Sequence, residues 1–143
     1  MNYVLSSTLS IFFLTIFACT SFAQEKAPKS VKKSFQSKYP GENDPDWHQD
    51  KNGYYEANFK KKGIHYRADF DSSGQWIETE SSIKEEDLPE VIRKKIATDF
   101  KEYKIVELEE VDHYTKGKFY DVEIKKDGKK QDIEFNAEGT IIN

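Results

Sequence analysis

The sequence predicts an α+β protein made of two tandem helix–β4 units. Three observations carry that expectation. A stretch of the chain recurs, without a gap, at an offset of 65 residues: Tyr55 to Ile77 (YEANFKKKGIHYRADFDSSGQWI) and Tyr120 to Ile142 (YDVEIKKDGKKQDIEFNAEGTII). Each copy alternates apolar and polar residues with period two, the pattern of strands with one buried and one wet face. A proline-led stripe of apolar residues at i, i+4 and i+8 precedes each copy, the pattern of a short amphipathic helix.

The first residues stand apart. Met1 to Ala23 contain no Lys, Arg, Asp or Glu, and the apolar run Ile11 to Ala18 is short for a bilayer span. With small residues at Ser21 and Ala23, residues 1–23 read as a secretory signal peptide. Ile16-Phe17-Ala18-Cys19 offers a minority alternative, a lipoprotein box in which Cys19 carries the anchor. Cleavage after Ala23 leaves a chain without cysteine or a transmembrane segment, divided into unit 1 (24–83) and unit 2 (84–143). A periplasmic or secreted domain of this length can rest on its core without disulfides. The net charge of −4 argues against general nucleic-acid binding.

The first helix is expected to start near Pro28, which suits a first turn because its missing N–H is not needed there. Val31, Phe35 and Tyr39 form its stripe, and Pro40-Gly41 ends it. The second helix lies within residues 84–103, with Asp87 as cap, Pro89 at the start, and Ile92, Ile96 and Phe100 as stripe. Trp47 to Gln49 leads into Asp50-Lys-Asn-Gly53, a type I turn pattern. A three-residue loop there pairs Asp50 with Tyr54, His48 with Glu56 and Trp47 with Ala57. Lys62-Gly63 and Asp127-Gly128 are two-residue hairpin turns, and Asp71 to Gly74 and Asn136 to Gly139 are type I turns closing each copy. In unit 2 the first strand is Ile105 to Tyr114, with a bulge expected near Glu109-Glu110 because Val111 breaks the parity of Val106 and Leu108. Parity places Tyr39, Tyr55, Phe59, Tyr66, Phe70, Phe100, Tyr120 and Phe135 in the core, with Trp76 beside Phe70.

Tandem helix-plus-four-strand units behind a signal peptide, with the repeated aromatic–Lys-Lys-x-Gly–Phe-[Asp/Asn]-x-x-Gly hairpins, resemble secreted PepSY-like proteins of the β-lactamase-inhibitory-protein fold group. The resemblance spans roughly residues 26–143. It implies a fused antiparallel sheet with both helices on one face and the other face open. It also implies a non-catalytic role, since members of the group inhibit enzymes and PepSY domains accompany secreted peptidases as inhibitory segments. The intra-repeat disulfides of the β-lactamase inhibitory proteins are missing here, and none of their contact residues can be matched.

No catalytic constellation competes with that reading. The single cysteine sits in the leader, the turn serines Ser72 and Ser73 lack a nucleophile elbow, and His48, His65 and His113 have no metal-ligand spacing. No cofactor is expected. The open face is the candidate site. The Asp127-Gly128 turn sets Glu123 opposite Asp132 and Asp121 opposite Glu134. A two-residue turn at Lys116-Gly117 would add Asp112 and Glu110 to these rows. Directly opposed carboxylates repel by roughly 0.8 kcal/mol per pair at about 5 Å in water. The protein-binding candidates are therefore Asp121, Glu123, Asp132 and Glu134, together with His65 and Arg67 of unit 1 and the exposed aromatics Tyr54 and Phe119. The expected partner is an envelope or secreted protein, with the chain acting as inhibitor or modulator. The alternative is an envelope sensor of a small ligand or of Ca²⁺, with Asp112, Asp121 and Glu134 as the carboxylates.

Overall fold

A computed structural model describes residues 27–143, so the signal-peptide reading and Cys19 lie outside the described residues. The elements run α1 (Lys29–Lys38), β1 (Asp46–Gln49), β2 (Tyr55–Lys61), β3 (Ile64–Phe70), β4 (Trp76–Ser82), a 3-10 turn (Glu85–Asp87), α2 (Glu90–Asp99), β5 (Lys104–His113), β6 (Gly117–Lys126) and β7 (Lys129–Phe135). All seven strands form one antiparallel sheet in sequence order. Strands adjacent in sequence are adjacent in space, and the long excursion through α2 still returns β5 to the edge of β4.

Local chemistry accounts for most of these elements. Pro28 and Pro89 stand at the N-caps of α1 and α2. Val31, Phe35 and Tyr39 of the first stripe are buried, as are Ile92 and Ile96 of the second. At the two-residue turns, Lys62 and Gly63 (φ 51° and 85°) and Asp127 and Gly128 (φ 50° and 81°) all adopt positive φ. That is the requirement of a type I′ turn, whose twist matches the flanking strands. The Asp50 loop has the expected register, with Trp47 opposite Ala57 and His48 opposite Glu56. The Asp50 carboxylate accepts from the N–H of Asn52 and Tyr54, which holds the loop closed.

Both helices lie on one face of the sheet. Under α1, Phe35 meets Tyr39, Trp47, Phe59 and Phe70 at ring-centroid distances of 5.2 to 6.3 Å. Under α2, Ile92 and Ile96 pack with Leu108, Val122, Ile124, Ile133 and Phe135. The row Tyr66–Ser81–Glu110–Tyr120–Phe135 runs across the sheet and places the two clusters on the same side. Between them the Tyr39 hydroxyl meets that of Thr79, to which Trp76 Nε1 also donates at 2.9 Å. Tyr39 is pushed up to about 12 by burial.

Four expectations need correction. The second half of the sheet has three strands; among the described residues a fourth is represented by the single bridge Phe135–Ile141. Asp87 does not cap α2; its carboxylate accepts from Lys84 N at 3.0 Å and closes the 3-10 turn instead. The β5 bulge lies between Ile105 and Glu107, where Val106 is extruded and exposed, and not at Glu109-Glu110. Val111 opposes Phe119 without any register shift, because both belong to the helix-free face and are buried there. The β5–β6 connection is a three-residue loop, with His113 opposite Gly117 and Gly117 at φ 73°. His113 Nδ1 accepts from the backbone N–H of Thr115 and Lys116 at 3.1 and 3.2 Å, doing the work that an Asp does in a more familiar turn.

Candidate functional site

The three-residue loop decides which carboxylates share the helix-free face, since a one-residue change in register turns every side chain over. Asp112 opposes Lys118 and Glu110 opposes Tyr120, so both point to the helix side. Their places are taken by Glu109, opposite Asp121, and Glu107, opposite Glu123. Beyond them the expected pairs stand: Asp121 with Glu134, and Glu123 with Asp132. Two carboxylate rows therefore cross β5, β6 and β7. The trio Asp112, Asp121 and Glu134 is split between the two faces and cannot ligate one Ca²⁺. Among the described residues, no three His, Cys, Asp or Glu side chains are grouped to hold a metal ion.

A cleft of about 200 Å³ opens between these rows and β3, lined by Arg67, Glu107, Glu109, Asp121, Glu123 and Asp132. Behind its rim lies Glu80, which opposes Arg67 on one side and Val111 on the other. Glu80 is 5% exposed. Its Oε1 accepts from Arg67 Nη2. Burial, reinforced by the charge of Glu109, nevertheless holds its carboxyl well above the usual carboxylate range. The guanidinium bond does not outweigh this, because Arg67 is shared with Asp69, Glu109 and Glu56. Burial therefore favours the protonated form of Glu80 more than it would for an exposed glutamate. Its Oε2 is buried with no hydrogen-bond partner among the described residues. Burial also raises Glu109. Asp69, 9% exposed in the next row, is raised by burial to about 7. Asp121 is raised to about 6, first by burial and then by the charges of Asp132, Glu109 and Glu134.

Seven carboxyl groups gather here (Glu80, Glu107, Glu109, Asp121, Glu123, Asp132 and Glu134) with three cations in reach. Arg67 serves Glu80, Lys116 Nζ holds Glu134 at 2.7 and 2.9 Å, and Lys130 pairs with Glu123 at 2.7 Å. Among the described residues, Glu107, Glu109, Asp121 and Asp132 have no cationic hydrogen-bond partner of their own. Asp121 Oδ1 and Arg67 Nε are buried with no partner among the described residues.

The sequence candidates divide accordingly. Arg67, Asp121, Glu123 and Asp132 line the cleft, and Glu134 flanks it opposite Asp121. Tyr54 is exposed, but on the first hairpin, across β3 and β4 from the carboxylates. His65 is exposed opposite Lys60 near a hairpin tip. Phe119 is the clear correction. It is 3% exposed, packed with Val111 under Lys116, whose Nζ lies 5.0 Å from the ring centre, so it is a prop beneath the face and not an anchor upon it. Sequence reasoning missed Glu80, Glu107, Glu109 and Lys116. The signal that could have found Glu80 is its shared parity with Glu78, opposite Asp69 and Arg67 of β3, while the other three hinge on the loop length after His113.

The family model described as beta-lactamase-inhibitor-like, PepSY-like matches residues 53–143. Among solved structures, a DUF2874-family protein of Bacteroides ovatus superposes with a TM-score of 0.73 at 21% identity, covering 83% of this chain and 86% of that one. A DUF2874-family protein of Bacteroides uniformis gives 0.74 at 22% identity, with 82% and 88% covered. A BLIP-like protein of Bacteroides fragilis gives 0.69 at 18% identity, with 82% and 84% covered. At these identities the likeness is one of fold. No curated protein matches the sequence.

Proposed function

The chain belongs to the PepSY-like family, and from that premise we propose that it is an exported, non-catalytic protein-binding module, an inhibitor or modulator of an envelope or secreted enzyme. The reading takes residues 1–23 as the export signal and residues 24–83 and 84–143 as two diverged copies of one unit. Among the described residues no helix is long and apolar enough to cross a membrane.

One observation carries the proposal: the uncompensated carboxylates on the face that the helices leave uncovered. A sheet face that needed only solubility would intersperse signs, because like charges set directly opposite one another destabilise the strands that hold them. Here Glu109–Asp121–Glu134 and Glu107–Glu123–Asp132 are aligned without interruption. A partner presenting Lys or Arg relieves the repulsion and satisfies the orphaned oxygen of Asp121. Charge of this kind steers encounter and sets specificity more than it sets affinity.

The test is retention of envelope and secreted proteins on the immobilised protein, compared with the Asp121→Asn, Asp132→Asn double variant. The expected result is a partner with a basic contact surface, retained at about 50 mM salt, largely released by about 200 mM, and not retained by the double variant. Equal retention by both proteins would remove the acidic face from the function.

A further inference from the structure

A third charged row adjoins the two carboxylate rows. Lys104 of β5 stands opposite Lys125 of β6, which stands opposite Lys130 of β7. Side chains two residues apart on a strand share a face, so this row lies on the helix-free face, about 7 Å along the strands from Glu107–Glu123–Asp132. The β5 bulge brings Lys104 there. Without the extra residue Val106, Ile105 would oppose Lys125 and Lys104 would turn to the helix side. With it, Ile105 packs against the second core cluster and Lys104 is exposed. Lys130 Nζ pairs with Glu123 at 2.7 Å across the boundary between the rows. Lys104 and Lys125 have no ion-pair partner among the described residues. Protection of an edge explains lysines on an outer strand, but Lys125 lies between β5 and β7. Ammonium groups set directly opposite one another carry the same kind of cost as the opposed carboxylates beside them. The face is therefore zoned, two negative rows and then a positive one. The first half of the sheet lacks that boundary. There the 65-residue offset puts Asn58 and Arg67 in the places of Glu123 and Asp132, ahead of Lys60 and His65.

We infer that the lysine row is the second part of the docking surface, and that the partner meets it with Asp or Glu where it meets the carboxylate rows with Lys or Arg. The inference rests on the protein-binding reading and names the charge order of that partner. Adjoining zones of opposite sign fix the register of a contact and reject partners charged in another order. A wholly basic partner gains from Glu109–Asp121–Glu134 and Glu107–Glu123–Asp132 but loses against Lys104, Lys125 and Lys130. A segment extended along β6 crosses one row with every second residue, so it needs basic, basic and acidic side chains at i, i+2 and i+4. Either chain direction satisfies this order, because the rows set the succession of charges and not the polarity of the backbone. An anionic lipid surface is a poorer occupant, since it suits the lysine row but is repelled by the carboxylate rows beside it. A second copy of this chain is also poorer. Turned end for end, it would set Glu107–Glu123–Asp132 of each copy against the same row of the other.

The test uses the protein and capped synthetic peptides: Lys-Thr-Lys-Thr-Glu in the inferred order, Lys-Thr-Glu-Thr-Lys of the same composition, and Lys-Thr-Lys-Thr-Lys. Amide-resolved NMR titration at about 50 mM salt follows binding. The first peptide is expected to bind about five-fold more tightly than the second. It should shift the amides of Lys104, Lys125 and Lys130 together with those of Asp121 and Glu123. In Lys125→Glu protein, where the substituted side chain is exposed, the all-lysine peptide should become the tightest binder. Equal binding of the first two peptides, or shifts confined to the carboxylate rows, would overturn the inference while leaving the acidic face as a binding surface. Failure of every peptide to shift Asp121 and Glu123 would instead remove the protein-binding reading of that face, and the inference with it. Sedimentation with mixed phosphatidylglycerol and phosphatidylcholine vesicles, and the oligomeric state of the free protein, cover the other occupants. Vesicle binding that is lost in Lys125→Glu protein would give the row to a lipid surface, and a dimer dissociated by that substitution would give it to a second copy. Either result overturns the inference; a monomer that does not bind the vesicles supports it.

Discussion

Glu80 sets the electrostatics of the helix-free face. Burial and the charge of Glu109 raise its pKa, and Arg67 faces Glu80, Asp69, Glu109 and Glu56 at once, so a protonated Glu80 would leave more of the guanidinium charge to the other carboxylates. Gln is a close mimic of the neutral acid, with an oxygen for Arg67 and an N–H for Glu109. The substitution Glu80→Gln should therefore change stability by less than about 0.5 kcal/mol. Arg67→Met, which removes the cation and leaves the carboxyl groups facing one another, should cost about 1–2 kcal/mol. That is below the usual loss for a broken buried pair because the guanidinium is partly exposed. Denaturant midpoints of the two variants check this; a loss in Glu80→Gln as large as in Arg67→Met would mean that Glu80 is ionised. At this scale the sequence was half legible. Asp121–Glu134 and Glu123–Asp132 followed from the Asp127-Gly128 turn between them. The state of Glu80 did not, because it depends on three strands standing side by side, and the parity of one strand carries no information about its neighbours two strands away.

At the scale of elements, the turns explain both the successes and the failure of the reading. Gly and Asp-Gly signals fixed the β1–β2, β2–β3 and β6–β7 connections in register. The β5–β6 loop escaped because its closing acceptor is a histidine nitrogen, a signal shared with any exposed histidine, and the added residue moved Asp112 and Glu110 across the sheet. The matched turns Asp71–Gly74 and Asn136–Gly139 have different surroundings. Gly74 (φ 93°) lies against α1, where an added Cβ would come within 2.9 Å of the Ser30 carbonyl carbon and oxygen. Gly139 (φ 81°) lies against α2, where the nearest atoms, at 3.0 Å, belong to the Val91 side chain. Both Ala substitutions incur the left-handed backbone penalty of about 1–2 kcal/mol. Only Gly74→Ala must also displace helix backbone, and overpacking of that kind adds about 1–3 kcal/mol. Thermal unfolding should therefore rank Gly74→Ala well below Gly139→Ala. Equal losses would show that α1 shifts over its turn as readily as the Val91 side chain moves.

For the whole molecule, the acidic face makes stability depend on pH in an unusual direction. Most proteins lose stability on acidification because their paired carboxylates must be protonated. Here the folded state raises Asp69 to about 7 and Asp121 to about 6, so it binds these protons more tightly than the unfolded chain does. The resulting stabilisation is complete below the ordinary carboxylate pKa near 4, and it is lost as pH rises through about 6 and about 7. Asp71 works the other way. Its hydrogen bonds from Ser73, Gln75 and Gly74 lower its pKa, so its contribution disappears only as pH falls below the usual carboxylate range. Together these groups place maximum stability near pH 4–5, with a decline toward pH 8. Because Asp121 is partly exposed, its contribution is discounted for screening. Each kcal/mol of that loss corresponds to a fall in Tm of about 4 °C for a domain of this size. The Asp121→Asn variant should be about as stable as the natural chain at pH 4.5, more stable at pH 8, and less sensitive to added salt at pH 8, since one source of repulsion is gone. Differential scanning fluorimetry from pH 4 to 8 at low and high salt measures all three. A Tm that rises steadily to pH 8 would show that the carboxylates are compensated in the folded chain, and would remove the excess charge from which the docking surface was argued.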